Sequence, residues 1–259
     1  MTLDDIRRRN VGAGAGNHGY LLMMLVRPFA PLAAWAALRI GLAPRQVTYL
    51  GFLLAWIIVG LAATGGAGGR KIALLLVIVW ELLDVADGTM ARAIGRRDNF
   101  GGFLDYAAGV VLIAFLPLAL GIGLAVSPDG SLERAIALTG SSWHAPALTT
   151  VVAGACVSAV ALFVRLINRV LFLRFGDSYS NWDEPKGSIV DLAVRNLEAI
   201  GGVQGPLLLL AAFAGVVEVA LAGYLGFYVV LLLAFMFSTH RNYRSREEYY
   251  DVVIRPRTP

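Results

Sequence analysis

Charged residues are scarce in this sequence, and cysteine is nearly absent. Asp, Glu, Lys and Arg make up 15% of the 259 residues, whereas an ordinary soluble domain carries about 25% charged residues. Hydrophobic types make up 58%, and a soluble chain this apolar could not cover its own surface with polar side chains. The single cysteine, Cys156, excludes an intrachain disulfide. These shortages exclude disulfide-rich and disordered classes and favour a polytopic membrane protein over a soluble enzyme.

Two further features are missing from the sequence. Its start lacks the single apolar core and small-residue cleavage site of a signal peptide, so we expect the first membrane span to belong to the mature chain. The net charge of +4 is too small to indicate nucleic-acid binding, and we expect no nucleic-acid partner.

Apolar runs of roughly 20 residues, the length that crosses a bilayer, recur along the chain. They predict an all-α integral membrane protein with six spans, at about 46–64, 71–91, 101–126, 146–165, 203–217 and 219–239. Residues 20–42 are apolar too, but two arginines and two prolines interrupt them, which favours an interfacial amphipathic helix over a seventh crossing. We expect a single domain over 1–259, with the bundle at 46–239 and a cytoplasmic insert at 166–202.

Positive charge is distributed unevenly among the loops between these spans. Of the 22 Lys and Arg residues, all but Arg70, Lys71 and Arg134 fall on one side of the predicted membrane. Positive loops stay cytoplasmic. We therefore expect a multi-pass protein of the cell membrane whose two termini and functional site face the cytoplasm.

Acidic residues lie inside the second predicted span and one turn into the third: Glu81, Asp84, Asp87 and Asp105. An ionisable side chain at this depth indicates a functional site by default. Asp84 and Asp87 share one helix face, and Asp105 reaches a similar depth on the antiparallel neighbour. Such carboxylates repel one another unless a divalent cation lies among them, and oxygen ligands favour Mg²⁺, Mn²⁺ or Ca²⁺ over zinc. The alternative is that the aspartates pair with nearby arginines and only hold helices together.

Small residues and an arginine follow the acidic positions. Gly88, Ala91 and Gly101 allow helices and a ligand to approach closely. Arg92 can bind a phosphate with two hydrogen bonds. Carboxylates, a cation, small residues and an arginine together indicate a site for a pyrophosphate-bearing ligand.

The segment that starts at Asp84 resembles the signature of the CDP-alcohol phosphotransferases, D-x2-D-G-x2-A-R-x8-G-x3-D-x3-D. Seven of its eight fixed positions are present, namely Asp84, Asp87, Gly88, Ala91, Arg92, Gly101 and Asp105. Residues 43–48, Ala-Pro-Arg-Gln-Val-Thr, are similar to the family's T-P-N-x-V-T, with Arg45 in place of the asparagine.

The resemblance implies an enzyme of phospholipid or related lipid biosynthesis. Such an enzyme transfers a substituted phosphate group from a CDP-linked donor, here expected to be CDP-diacylglycerol, to an alcohol acceptor and releases CMP. Asp84, Asp87 and Asp105 would hold Mg²⁺ or Mn²⁺. The CDP group would contact Thr48, Gly88, Ala91, Arg92, Asp98 and Gly101. The resemblance further implies that donor or acceptor is a lipid and that the protein forms a homodimer among membrane lipids.

One departure from the signature affects the expected chemistry. The eighth fixed position is Gly109, where the family has an aspartate that completes the metal site and acts as general base. Three explanations stay open. Another base acts instead, such as Glu81, Asp98 or the acceptor's own phosphate; or the protein is catalytically degenerate and only binds CDP-lipid or metal; or the glycine is an engineered substitution.

Another set of polar residues ends the fourth predicted span. Arg165, Asn168 and Arg169 share a helix face, and they either bind an acceptor's phosphate or serve only as the span's positive flank. Two other functional classes fit less well. Intramembrane prenyltransferases use two separated aspartate motifs, and a transporter needs ionisable groups along a path across the bilayer.

Overall fold

The computed structural model describes residues 2–10, 21–95, 99–142, 144–175 and 200–244. Within these ranges the chain is helical and has no strand, which confirms the predicted all-α class at this level. The helices are α1 (Leu3–Asn10), α2 (Leu21–Val26), α3 (Ala30–Arg39), α4 (Pro44–Thr64), α5 (Gly66–Ile94), α6 (Asn99–Val126), α7 (Ser131–Leu138), α8 (Leu148–Phe175), α9 (Gly205–Ala214) and α10 (Val217–Arg244).

Four of these helices are long and apolar enough to cross a membrane. They are α4 over Pro44–Thr64, α6 over Phe100–Val126, α8 over Leu148–Leu166 and α10 over Val217–Ala234. The predicted second span corresponds to α5, whose 29 residues include the acidic positions and basic residues at both ends. The predicted fifth span corresponds to α9, which has only 10 residues and is too short to cross alone. The count of six spans therefore stays a prediction.

The region 20–42 is helical but divided. A short 3₁₀ helix, Arg27–Phe29, separates α2 from α3. Pro28 lies near the start of this 3₁₀ helix, and Pro31 lies near the start of α3. Proline is tolerated there because the first N–H groups of a helix have no intrahelical acceptor. Both short helices pack against α5. The structure thus has two helices where the sequence predicts one, and their position at a membrane interface stays a prediction.

The centre of the bundle is α6, which packs against both α4 and α8. Four leucines occupy successive turns of its buried face: Leu112, Leu116, Leu120 and Leu124. A methyl group on Gly123 would collide with the carbonyl of Ala62, and one on Gly154 would collide with that of Pro117. These glycines therefore let the helix backbones touch, as in many membrane bundles.

The ends of three helices meet at what we call the motif end, formed by the first turns of α4 and α6 and the last turns of α5. Pro44 occupies the first position of α4, and the Gln46 side chain accepts a hydrogen bond of 2.8 Å from the Ala43 N–H. Gly95 ends α5 in the left-handed region, at φ 69°, which glycine adopts without a steric penalty. The chain then turns back into α6, so that α5 and α6 lie antiparallel.

The opposite end of the bundle is held by buried polar contacts. Arg70 Nη1 donates to the Gly123 carbonyl at 3.0 Å and its Nη2 donates to the Ser127 carbonyl at 2.8 Å. Asp129 Oδ2 accepts the Val217 N–H at 2.6 Å. These contacts join the ends of α5, α6 and α10. Helix α7, which the sequence pattern did not predict, begins just after Asp129.

The predicted cytoplasmic insert begins inside a helix. α8 continues through position 166 as far as Phe175, because its apolar residues keep a helical spacing well past the predicted boundary. Residues 176–199 lie outside the described part of the chain.

Candidate active site

The acidic positions of α5 and α6 come together at the motif end. The carboxyl groups of Asp84 and Asp105 are in hydrogen-bonding contact across the two helices. Both Glu81 and Asp87 interact electrostatically with Asp105. Two ionised carboxylates cannot share a hydrogen bond, so this contact requires a proton or a cation between them. Of the meeting of acidic groups that the spacing predicts, the structure shows the contact between Asp84 and Asp105; a complete metal site stays a prediction.

Asp87 is held from a third helix. Thr48 Oγ1, in the first turn of α4, donates to Asp87 Oδ2 at 2.6 Å, and both residues are buried. The resemblance places Thr48 near the CDP group; in the structure its hydroxyl lies on a carboxylate. Thr48 thus fixes the orientation of Asp87.

Glu81 is the most buried member of the cluster, with 3% of its surface exposed. Its Oε2 atom has no hydrogen-bond partner among the residues that the structure describes. An unpartnered buried carboxyl oxygen is unfavourable, because the group has lost its hydration and gained no bond in return. A proton or a bound cation would neutralise the group in this position.

The arginine of the motif folds back over a glycine. A methyl group on Gly88 would lie 3.2 Å from Arg92 Nη1, and Arg92 Nη2 donates to Thr89 Oγ1 at 3.3 Å. Arg92 itself is exposed. The absence of a side chain at Gly88 therefore leaves room for the guanidinium group beside Asp87.

The remaining CDP-contact candidates are small or lie outside the described residues. Ala91 is half-buried on α5, and Gly101 is buried in the first turn of α6. Asp98 falls in the undescribed stretch 96–98. Ala91 and Gly101 both lie at the motif end, as the sequence predicts.

Position 109 faces Trp80 of α5. A methyl group on Gly109 would lie 3.9 Å from Trp80 Cη2, an ordinary contact distance. Asp105 lies one turn earlier on α6, toward the motif end. The position at which the signature expects its last aspartate therefore lies next to the acidic cluster, and it has space for a side chain.

The residues proposed for acceptor binding lie near the end of α8. Thr150 bonds to the Gly121 carbonyl and Ser158 Oγ accepts the Leu118 N–H, so α8 runs antiparallel to α6. Continuing this register at about 1.5 Å per residue brings Arg165 close to the level of Asp105. Arg165 is half-buried. The backbone of Asn168 and Arg169 continues the same helix, and their side chains are outside the described part.

The acidic cluster and Arg165 fall in a region that matches a known protein family, whereas Asn168 and Arg169 lie just beyond it. A family model for CDP-alcohol phosphatidyltransferases matches residues 41–167, from just before α4 into α8, and includes the whole acidic cluster. The match covers 127 of the 259 residues, and over this stretch the chain is similar to the CDP-alcohol phosphatidyltransferases. The resemblance seen in the signature is thereby confirmed.

A relative of the domain is the archaetidylinositol phosphate synthase of Pyrococcus horikoshii. The two chains are 35% identical over 66 residues, which is 26% of this chain and 34% of the relative. The match therefore spans about a third of the relative's length. This similarity agrees with the family assignment at the level of the domain.

The domain's donor set fits a hard divalent cation in its chemistry, since all of the candidate ligands are oxygen atoms. The orphaned Oε2 of Glu81 also fits a missing partner. Among the described residues, however, no three acidic, His or Cys side chains stand together as a preassembled metal cage. Two hydrogen bonds occupy oxygens that a cation would bind. One joins Asp84 and Asp105, and the other runs from Thr48 to Asp87. Metal binding to the domain would replace such bonds.

Sequence reasoning missed α1, a helix that packs against α5 and α3. Ile6 of α1 is fully buried, in a cluster with Met90 and Ala93 of α5. Arg9 Nη1 donates to the Ala93 carbonyl at 2.6 Å, near the end of α5. The available signal was the pair Thr2 and Asp5, whose side chains each accept a backbone N–H of the other and so begin a helix.

Another missed contact lies at the rim of the cluster. The guanidinium carbon of Arg45 lies 4.6 Å from the centre of the Phe100 ring and 5.7 Å from that of Tyr49. Arg45 replaces the asparagine of the T-P-N-x-V-T motif. Here it joins the first turn of α4 to the first turn of α6 through a cation–π contact.

Proposed function

We propose that the chain is a divalent-cation-dependent transferase that moves a phosphatidyl-type group from a CDP-linked lipid donor to an alcohol acceptor and releases CMP. The observation that carries this proposal is the contact of Asp84 with Asp105, with Asp87 close enough to interact electrostatically with Asp105, inside the region that the family model matches. The donor is proposed to be CDP-diacylglycerol or a lipid of the same chemistry.

The residues at the motif end have separate roles in this proposal. Asp84, Asp87 and Asp105 hold Mg²⁺ or Mn²⁺ against the donor's pyrophosphate, and the cation, when bound, offsets the phosphate charge. Thr48 keeps Asp87 oriented toward this position through its hydrogen bond. Arg92 turns from Gly88 to a phosphate and donates two hydrogen bonds, a geometry that a guanidinium group provides and an ammonium group does not.

The proposed reaction is a substitution at the phosphorus that carries the lipid. The acceptor's hydroxyl oxygen forms a bond to this phosphorus, and the bond from phosphorus to the oxygen of CMP breaks. CMP leaves with the bonding electrons, and the hydroxyl proton passes to a base. Gly109 cannot be that base, so Glu81, Asp98 and a phosphate group of the acceptor are the candidates.

The acceptor is proposed to carry a phosphate of its own. The name of the Pyrococcus relative, an archaetidylinositol phosphate synthase, makes inositol phosphate the first acceptor to test. Arg165, on the α8 register described above, supports an anion site at this level of the bundle. Arg169 and Asn168 follow on the same helix face.

We further propose that α5 and the α9 region also cross the membrane, giving six crossings with the motif end on the cytoplasmic side. The charge distribution supports this orientation, because positive residues concentrate near the motif end and cytoplasmic segments carry the excess of Lys and Arg. Homodimerisation, which the family resemblance implies, is part of the same proposal and is tested by cross-linking in membranes.

A second candidate function follows from Gly109. A family member without its general base would still bind a CDP-linked lipid or a cation through the remaining aspartates, without turnover. The two candidates share the donor site and differ only in whether CMP is released.

A screen for CMP release separates the two candidates. Purified full-length protein in lipid nanodiscs is supplied with CDP-diacylglycerol, Mg²⁺ or Mn²⁺, and one acceptor at a time: glycerol phosphate, inositol phosphate, serine or an amino-alcohol. Release of CMP with any acceptor supports the transferase. Donor binding without release from any acceptor supports the degenerate binder.

The Asp84→Asn variant tests the site itself. We expect it to abolish Mg²⁺-dependent donor binding, whereas Glu133→Gln, an exposed acidic change on α7, leaves binding unchanged. Donor titration curves of Asp84→Asn that coincide with those of the unmodified protein would contradict both candidate functions.

A further inference from the structure

Gly109, where the signature expects an aspartate, and Glu81 lie at nearly the same level of the two antiparallel helices. Asp84 contacts Asp105 across antiparallel helices. Four residues deeper on each helix, about 6 Å along the axis, come Trp80 on α5 and Gly109 on α6. These two are close neighbours, because a methyl group on Gly109 would lie 3.9 Å from Trp80 Cη2. Glu81 follows Trp80, so it lies within about 1.5 Å of the level of position 109.

Glu81 is close enough to the acidic cluster to interact electrostatically with both Asp105 and Asp84. Glu81 and Asp84 are three residues apart and share a face of α5. Glu81 interacts electrostatically with Asp105 of α6, whose own face includes position 109 one turn away. The extra methylene of glutamate, compared with aspartate, extends the reach of the carboxylate toward Asp105.

The burial of Glu81 has no structural explanation among its protein contacts. Its Oε2 atom is buried and has no hydrogen-bond partner within the described ranges of the chain. Glu218, at the opposite end of the bundle, is buried to a similar degree, with 5% exposed, but its Oε2 accepts the Leu132 N–H at 3.1 Å. Glu218 therefore has a structural role, capping α7, and Glu81 has none of this kind. A buried carboxyl oxygen without a protein partner is unfavourable, and either a proton or a bound cation would neutralise the group.

We propose that Glu81 supplies the carboxylate that Gly109 lacks, as a fourth oxygen ligand of the divalent-cation site formed with Asp84, Asp87 and Asp105. This inference rests on the cation site of the proposed function and extends it to a residue outside the family signature. In the proposed site the fourth carboxylate comes from α5 rather than from α6. Trp80 borders the space beside Gly109.

Mn²⁺ alone is the probe that tests this proposal. Binding of Mn²⁺ to the full-length protein in nanodiscs is measured by the loss of the free-ion signal in electron paramagnetic resonance. We expect Glu81→Gln to weaken Mn²⁺ binding by about tenfold or more. The double variant Glu81→Gln/Gly109→Asp restores the affinity of the unmodified protein to within about threefold. Glu218→Gln, a matched buried control, leaves the affinity unchanged.

Thermal unfolding provides a second readout that a merely structural glutamate would not produce. Without a cation, Glu81→Gln removes repulsion between Glu81 and Asp105, so we expect its Tm to be at or above that of the unmodified protein. With Mg²⁺, the unmodified protein gains Tm because the cation binds the folded state, and Glu81→Gln gains less. A Tm of Glu81→Gln that is lowered equally with and without Mg²⁺ would overturn the proposal.

The outcomes separate this inference from the function on which it rests. If Asp84→Asn binds Mn²⁺ like the unmodified protein, the cation site of the proposed function fails and the role of Glu81 fails with it. If Asp84→Asn weakens binding and Glu81→Gln does not, only the role of Glu81 is wrong. If Glu81→Gln weakens binding and Gly109→Asp does not restore it, the exchange between the two positions is overturned.

Discussion

Thr48 Oγ1 donates a hydrogen bond of 2.6 Å to Asp87 Oδ2, between two residues 39 positions apart in the chain. The bond joins the first turn of α4 to the acidic cluster of α5 and α6. Thr48 Oγ1 also lies 3.2 Å from the Pro44 carbonyl, the alternative acceptor within its own helix. A hydroxyl has one proton to donate, and the shorter distance and the stronger acceptor that a carboxylate provides favour Asp87.

This relationship predicts that Thr48 acts through Asp87. Thr48→Val keeps the side-chain shape but removes the donor, and a hydrogen bond to a charged group contributes about 1.5–3 kcal/mol. We expect kcat/KM for the CDP-linked donor to fall roughly 10- to 100-fold, measured by CMP release. Thr48→Ser keeps the hydroxyl and is expected to retain most of the activity. Equal activities for the valine and serine variants would show that the hydrogen bond has no role.

The contact between Arg92 and Gly88 predicts that a change at Gly88 weakens donor binding without lowering the stability of the fold. Gly88→Ala places a methyl group 3.2 Å from Arg92 Nη1. The guanidinium group ends a flexible side chain and can move aside, so the fold tolerates the change. We expect a Tm close to that of the unmodified protein but a KM for the donor raised by about tenfold, because the phosphate-binding position of Arg92 is displaced.

Gly60→Ala is the control for this variant, since a methyl group on Gly60 would have nothing within 4 Å. It is a glycine-to-alanine change in a helix outside the acidic cluster. We expect Gly60→Ala to stabilise the protein slightly, by about 0.4–1 kcal/mol, and to leave the KM unchanged. The same KM in both variants would contradict the role of Gly88.

The space at position 109 predicts a gain of function. A methyl group there meets Trp80 Cη2 at 3.9 Å, so the first carbon of an aspartate fits without a clash. If the transferase is active, Gly109→Asp adds a base beside Asp105, and a positioned base contributes about 10²–10⁴ in rate. We expect kcat for CMP release to rise by at least about tenfold. Gly109→Asn has nearly the same size but provides no base, so an equal rise in both variants would count against base catalysis at this position.

The sequence was sufficient to predict the acidic cluster because its geometry is local. Asp84 and Asp87 share a face through helical periodicity, and Asp105 follows after a turn too short to place α6 elsewhere. The contact of Thr48 with Asp87 was beyond this reasoning, since it depends on how α4 packs beside α5. The sequence supplied only a motif for Thr48, which placed it near the CDP group rather than on a carboxylate.

The fold was less predictable where single residues decide the packing. Ile6 lies in a polar segment without apolar periodicity, so its burial against Met90 depends on tertiary contacts that a pattern does not contain. The start of α5 at Gly66, rather than at 71, depends on the tight turn after α4. A methyl group on Gly65 would collide with the backbone of Gly69 and Leu61. Such close approaches are not visible in the hydropathy that located the spans.

The loop at the opposite end of the bundle predicts a dependence of stability on pH. Burial raises the pKa of Asp129, but hydrogen bonds from the side chain and N–H of Ser131 and from the N–H groups of Val217 and Glu218 outweigh it and hold the pKa below its ordinary value. Since the folded-state pKa is lower than the unfolded-state pKa of about 3.9, the ionised carboxylate stabilises the protein above that pH. This stabilisation is lost as the pH falls through the folded-state pKa.

Asp129→Asn is therefore expected to lower stability near pH 7 by about 0.5–2 kcal/mol, the range for losing a helix cap, because Asp129 Oδ2 accepts the Val217 N–H at the start of α10. The measurement is the Tm of the variant and of the unmodified protein between pH 7 and pH 3. The difference in Tm should shrink as the pH falls below about 4, through the range between the unfolded-state pKa of Asp129 and its lower folded-state pKa. Asp4→Asn changes an exposed aspartate and is expected to cause no such difference. A difference for Asp129→Asn that stays constant down to pH 3 would show that the carboxylate's charge is not the source of the stabilisation.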